Sequence, residues 1–189
     1  MAKILPRTKI TQIKDNAYSK ADAHGYMSSG RVENGKFMND LIEDPEVGGV
    51  LSEYMEKEKI RTYIKDTILN RYTKDRKEEV LRANPPVDTI QKVYSVIASE
   101  IQAVEDVVVC RAENGDIYIV SSGTYQKWET ALKKALELIA RQPNLTINGK
   151  IPKICLQLIV LNKSITDGDK ELISDALNAI NVKARFCSN

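Results

Sequence analysis

Apolar residues are distributed in two contrasting ways along this chain, and the change falls at Asn84-Pro85-Pro86. Two successive prolines stop a helix and force an extended link. Downstream the pattern is dense. Its longest apolar run, Ile154-Cys155-Leu156-Gln157-Leu158-Ile159-Val160-Leu161, is interrupted by Gln157 alone. Eight residues are too few to cross a bilayer, which takes about 20. With Pro152 before it, the turn-like Asn162-Lys163-Ser164 after it and β-branched residues within, the run predicts a strand covered on both faces.

The segments around that strand read clearly. Asp88 is a natural N-cap, and Ile90, Val93, Tyr94, Ile97, Ile101 and Val104 mark one face of a four-turn helix. Residues 106–111 and 116–120 predict two strands joined by a tight turn at Glu113-Asn114-Gly115, since Asn-Gly between β-rich runs is the strongest short-range hairpin signal. A helix follows, with Tyr125, Trp128, Leu132, Ala135, Leu136 and Ile139 directed inward. Residues 145–151 suggest a second small hairpin around Asn148-Gly149. After the apolar strand, Asp167-Gly168-Asp169 opens a helix with Leu172, Ile173, Ala176, Leu177 and Ile180 inside, its acids placed as the helix dipole favours. Val182–Cys187 alternates as a half-exposed edge strand. The order is α-β-β-α-β-α-β. It predicts an α+β (α/β-like) core over 87–189: a mixed β-sheet flanked by helices, the last two strands parallel and joined by a crossover.

Upstream the pattern loosens. Phe37, Met38, Leu41 and Ile42 fit one face of a short helix ended by Asp44-Pro45, and a second helix is expected from about Val50 to Leu81 with a break near Thr73. Residues 36–84 therefore form a helical region. Residues 1–35, basic at Lys3, Arg7, Lys9, Lys14 and Lys20 and broken by Gly25, Gly30 and Gly35, predict an irregular basic arm.

Composition narrows the classes. The chain has 189 residues, 42% hydrophobic and 29% charged, with a formal charge of +2, too small by itself to imply a polyanionic partner. Only the placement of charge could do so. Three cysteines (Cys110, Cys155, Cys187) and one histidine (His24) make neither a C-x-x-C pair nor a zinc ligand set. Free thiols in a reducing compartment, a cytoplasmic location, no membrane association, no metal and no cofactor are the expectations. With His24 the one available base, in an irregular segment, nucleophilic catalysis has little support.

Three groups of residues carry possible chemistry. The densest basic surface lies on the 57–82 helix: Lys57, Arg61 and Lys65 follow one another at i+4, Arg71 and Lys74 continue the series, and Tyr54, Tyr63 and Tyr72 stand among them. Lys127 and Lys134 add cations on the helix after the hairpin. Such surfaces bind phosphates by displacing counterions, and aromatic rings can stack on bases. The plainer reading is a solvated helix laced with Glu/Lys pairs. The second group, Ser121, Ser122, Thr124 and Lys163, would gather at the carboxyl ends of parallel strands, where open sheets bind ligands and a turn into a helix can hold an anion. Ordinary helix capping explains the same residues.

The third group is acidic: Glu100, Glu105, Asp106, Glu113 and Asp116 around the hairpin. The order helix, hairpin, helix, strand resembles the core of a large group of metal-dependent nucleases, which place an acid at the start of one strand and an acid-x-lysine triplet at the end of the next. Asp106 stands where the first acid would. Ser121-Ser122-Gly123 occupies the place of the triplet and offers neither carboxylate nor lysine. The resemblance implies a catalytically inert relative that still binds DNA or RNA.

The expectation taken forward is a non-catalytic nucleic-acid-associated protein with a basic helical face. The alternatives are an interaction module of a larger assembly, docking on other subunits or on a second copy, and an enzyme (a metal-dependent nuclease or another activity) with its site at the strand ends.

Overall fold

The computed structural model describes residues 4–104, 106–146, 149–161 and 165–188. The chain forms two compact units, residues 1–78 with 161–163, and residues 79–160 with 164–189.

The first unit is helical from near its start. α1 (Arg7–His24) buries Ile13, Ala17 and Ala21, one residue per turn on a single stripe. The expected irregular arm is thus corrected: two of the three inward residues are alanines, which leave little hydrophobic signature but allow close helix packing. Gly25 ends α1 in the left-handed conformation (φ 69°). There the Tyr26 N–H reaches back to the Ala21 carbonyl at 3.0 Å, a closure that glycine makes without a Cβ penalty. α2 (Arg31–Glu43) buries Phe37, Met38 and Leu41. A π-helical turn (Pro45–Gly49) runs into α3 (Val50–Ser52), and Asp44 accepts from the Glu46 and Val47 amides at 2.9 and 3.1 Å. α4 (Lys57–Tyr63) continues through a second π-helical segment (Ile64–Leu69) into α5 (Asn70–Ala83). The core of this unit joins Ile13, Leu41, Leu51, Ile60, Ile64, Leu69 and Tyr72. Two carboxylates stitch α1 to α5: Asp22 accepts from Tyr72 Oη at 2.7 Å, and Asp75 accepts from Tyr18 Oη at 2.8 Å and Lys14 Nζ at 3.1 Å.

The second unit holds the sheet. α6 (Pro86–Tyr94) is shorter than expected. Ser95 takes a left-handed conformation (φ 55°), and Ala98–Val104 is strand β1 rather than more helix. β2 (Val107–Ala112) and β3 (Ile117–Thr124) form the hairpin, with Gly115 at φ 81° in its turn. A 3₁₀ turn (Tyr125–Lys127) leads into α7 (Trp128–Arg141). A second 3₁₀ turn (Pro143–Leu145) follows it. The small hairpin expected near 145–151 falls partly outside the described residues. β4 (Lys153–Ile159), α8 (Asp167–Asn178) and β5 (Lys183–Cys187) complete the chain.

The strands lie in sequence order, β1-β2-β3-β4-β5. The first two pairings are antiparallel, with a bulge between Glu100 and Gln102. β3–β4 and β4–β5 are parallel, as parallel pairs connected through helices require. The α+β architecture with a mixed, helix-flanked sheet is therefore present, with one more strand than the sequence pattern shows. One face, built from Val107, Val109, Ile119, Leu156 and Leu158, packs under Ala131, Ala135 and Leu138 of α7 and Ile173 and Leu177 of α8. The other, with Cys110, Tyr118, Val120 and Cys155, packs on Ile90 of α6. β4 is covered on both faces, and Leu156, Gln157 and Leu158 have no exposure at all. Not every residue expected inside is there: Leu136, Leu172 and Ile180 are 50%, 70% and 56% exposed. Among the described residues no helix is long and apolar enough to cross a membrane.

Gly48 makes a sharp prediction for the first unit. A Cβ there would lie 1.9 Å from the Ile42 carbonyl oxygen, so Gly48→Ala must displace backbone. A loss of roughly 2–4 kcal/mol is expected in urea unfolding. In the second unit Leu156→Ala should cost about 2–5 kcal/mol.

Asp75 predicts a pH dependence. Burial alone would raise its pKa, but the Tyr18 hydroxyl and the Lys14 ammonium outweigh it and hold the carboxyl below its ordinary value. Its stabilising contribution is then present above the unfolded pKa of about 3.9 and is lost as pH falls through the depressed folded value. Asp75→Asn should flatten that part of the acid limb in a stability–pH profile.

Candidate nucleic-acid interface and strand-end cluster

The 57–82 segment carries nine Lys and Arg against five Asp and Glu. Four of its nine cations are paired locally. Lys59 pairs with Glu56 at 2.7 Å, Arg71 with Asp75 at 3.5 Å, Lys74 with Glu78 at 3.7 Å, and Arg76 with Asp22. Lys57, Arg61 and Lys65 differ. All three are exposed, and among the described residues none has a carboxylate partner; Arg61 Nη1 instead donates to Asn39 Oδ1 at 2.8 Å. Four-residue spacing on a helix puts successive positions about 6 Å apart along the axis, so the three charges form a short line. Arg71 and Lys74 are also exposed but sit in i,i+4 pairs, which are worth only a few tenths of a kcal/mol. Of the tyrosines, Tyr72 is fully buried, whereas Tyr54 and Tyr63 are half-buried.

The cations on α7 take different roles. Lys127 is exposed at the helix start. Lys134 reaches Asp106 Oδ2 at 2.5 Å, tying the residue just before β2 to the helix. The Asp106 backbone carbonyl accepts from the Ser122 N–H at 2.8 Å, joining the start of β2 to the end of β3. Among the described residues no second carboxylate joins Asp106. Glu100 pairs with Cys110, three residues along β2. Asp116 lies at the far end of the hairpin, where it accepts from Lys153 at 2.8 Å and Lys150 at 3.4 Å; these ammoniums hold its carboxyl below the usual range. Glu105 lies outside the described residues. Among the described residues no three His, Cys, Asp or Glu side chains converge as a metal ligand set, and one lysine-bound carboxylate does not fit a catalytic magnesium site.

The strand-end rim is filled by the protein itself. Ser122, Gln157 and Arg185 form one row across β3, β4 and β5. Ser122 Oγ donates to Gln157 Oε1 at 3.1 Å, and Gln157 Nε2 donates to the Asn84 carbonyl at 2.5 Å. Arg185 reaches Asn84 Oδ1 at 2.7 Å and Thr89 Oγ1 at 2.9 Å. Asn84, from the link between α5 and α6, thus plugs the position where an open sheet would receive a ligand. Ser121 is buried and donates to the Ala131 carbonyl at 2.8 Å. Neither serine hydroxyl is therefore free to cradle an anion, and Thr124 makes no side-chain cap at the turn that follows it. Lys163 lies outside the described residues. Of this network the sequence displayed only Gln157, by its isolation in an apolar run; Asn84 and Arg185 gave no local signal, because strand register brings them together.

His24 does not join any nucleophile. Its ring stacks on Phe37 with centroids 4.5 Å apart, and its buried Nε2 has no hydrogen-bond partner among the described residues. The three cysteines are free and buried. Burial pushes the thiols upward, Cys110 to about 11 and Cys155 to about 12, opposite to what a nucleophilic thiolate needs. Trp128 and Tyr125 pack against the sheet core as partly buried residues, not as the wall of a pocket.

Comparison with protein-family models, with curated proteins and with solved structures finds no match to this chain.

The thiol environment is directly measurable. At pH 8 a disulfide reagent should label the native protein slowly at all three cysteines and react promptly with three equivalents after denaturation. Rapid labelling of one native cysteine would contradict the burial described.

Proposed function

We propose that this protein associates with DNA or RNA without cleaving it, through the line of cations Lys57, Arg61 and Lys65. The observation that carries the reading is the absence of any carboxylate partner for these three exposed, evenly spaced charges among the described residues, on a segment where four of the other six cations are paired. Uncompensated cations spaced along a helix suit the regular charge of a phosphate backbone, where counterion release drives binding without base recognition. Arg71 and Lys74 extend the line at small cost, since their surface pairs are weak.

The sheet unit supports the non-catalytic part of the reading. Its strands bring the start of β2 beside the end of β3, as in the nuclease core that the sequence resembles. The position of the acid-x-lysine triplet carries Ser121, Ser122 and Gly123, and the rim is closed by Asn84. The alternative of an enzyme acting at the strand ends finds no open cradle for a substrate among the described residues.

Fluorescence anisotropy with labelled single- and double-stranded oligonucleotides tests the proposal. Three phosphate contacts predict a log–log salt slope of about −2 on single strands and about −3 on duplex. The combined Lys57→Glu, Arg61→Glu and Lys65→Glu variant should lose binding while unfolding at the same urea concentration as the parent. Binding that ignores salt, or that survives this triple reversal, removes the proposal.

A further inference from the structure

We infer that the α7/α8 side of the sheet unit is a self-association surface, on which Leu172 of one copy enters an apolar cleft of a second copy. The cleft lies beside the start of β4 and is lined by Leu136, Ile139, Ile151, Ile180 and Val182. Three of these stand in solvent: Leu136 is 50%, Ile151 73% and Ile180 56% exposed. Large apolar side chains grouped around one concavity mark interaction sites more often than scattered surface residues do.

Charge identifies the occupant. Lys153 lines the cleft and shares the single carboxylate of Asp116 with Lys150, the residue before Ile151, which leaves one positive charge in excess. The complementary object is an exposed apolar side chain flanked by free carboxylates, and α8 carries one. Leu172 is 70% exposed, and its neighbours Glu171 and Asp175 are exposed with no ion pair among the described residues.

Geometry favours a closed pair. Leu172 lies midway along α8 and Ile180 two residues past its C-terminal end, so the two are separated along the helix direction. Two copies of α8 laid antiparallel across a two-fold axis place each Leu172 at the other copy's Ile180, so the same contact forms twice and no filament grows. This inference concerns the sheet unit alone and is independent of nucleic-acid binding.

Sedimentation velocity on the full chain, from about 1 to about 100 μM, provides the test, because self-association depends on concentration. A dimer mass is expected at the upper end. Leu172→Glu and Ile180→Glu should each weaken association by about tenfold or more, with thermal unfolding unchanged because both residues are exposed. Lys150→Glu and Glu171→Lys should each weaken it, and the two together should restore it. A monomer throughout the range overturns the inference. So does a dimer indifferent to these substitutions, which would mean that another surface, or another partner for this cleft, is at work.

Discussion

Everything in the sheet unit depends on burying β4 from both sides. A strand flanked by parallel neighbours gains its backbone hydrogen bonds from β3 and β5, but its side chains need a helical layer on each face. α7 and α8 supply one and α6 the other. The demand leaves no room for an unsatisfied polar group, and Gln157 is the single polar residue in the strand's interior. Its amide is met on one side by Ser122 and on the other by the Asn84 backbone. One glutamine thereby fixes where the link between α5 and α6 must lie, and that link closes the mouth of the sheet. The feature that completes the fold is also the one that removes a ligand site.

Charge follows a different logic in the helical unit. There the polar surface is arranged in pairs and small networks: Asp22 with Tyr72 and Arg76, Asp75 with Tyr18, Lys14 and Arg71. These hold α1 against α5. The net charge of the whole protein hides this distribution, because a balance near zero is compatible with a surface where some cations are matched and a line of others is not.

The sequence made the periodic parts of this structure legible and left the context-dependent parts obscure. β4, the Asn114-Gly115 hairpin, α7, α8 and β5 could be read directly, because each has either an uninterrupted apolar run, a turn with one conformational solution, or a strong stripe. The stretch 95–104 could not. Ile97, Ile101 and Val104 fall at helical spacing, yet β-branched residues serve equally in strands, and pairing with β2 decides the outcome. That pairing is a tertiary fact. α1 escaped notice for the opposite reason: Ala17 and Ala21 bury as completely as isoleucine while contributing little to any hydrophobic pattern. Inward and outward could be confused as well, since Leu136, Leu172 and Ile180 share the helical period with buried neighbours but face away from the sheet. The cations at 57, 61 and 65 were visible in the sequence; which of the surrounding charges were already neutralised was not.

The π-helical segment at Ile64–Leu69 has a consequence for the evolution of the chain. A π turn carries one residue more than the α turn it replaces, the residue that a single insertion into a regular helix would add. Removing one residue here lets the helix rewind to an ordinary α turn while the flanking turns keep their phase, because the wider π turn is what takes up the extra residue. Tyr72 then stays opposite Asp22, and Asp75 opposite Tyr18. A one-residue insertion or deletion in the regular turns of α5 between these contacts has no such absorber and turns the residues beyond it by about 100°, so the π segment is the place in this helix where a change of length is tolerated.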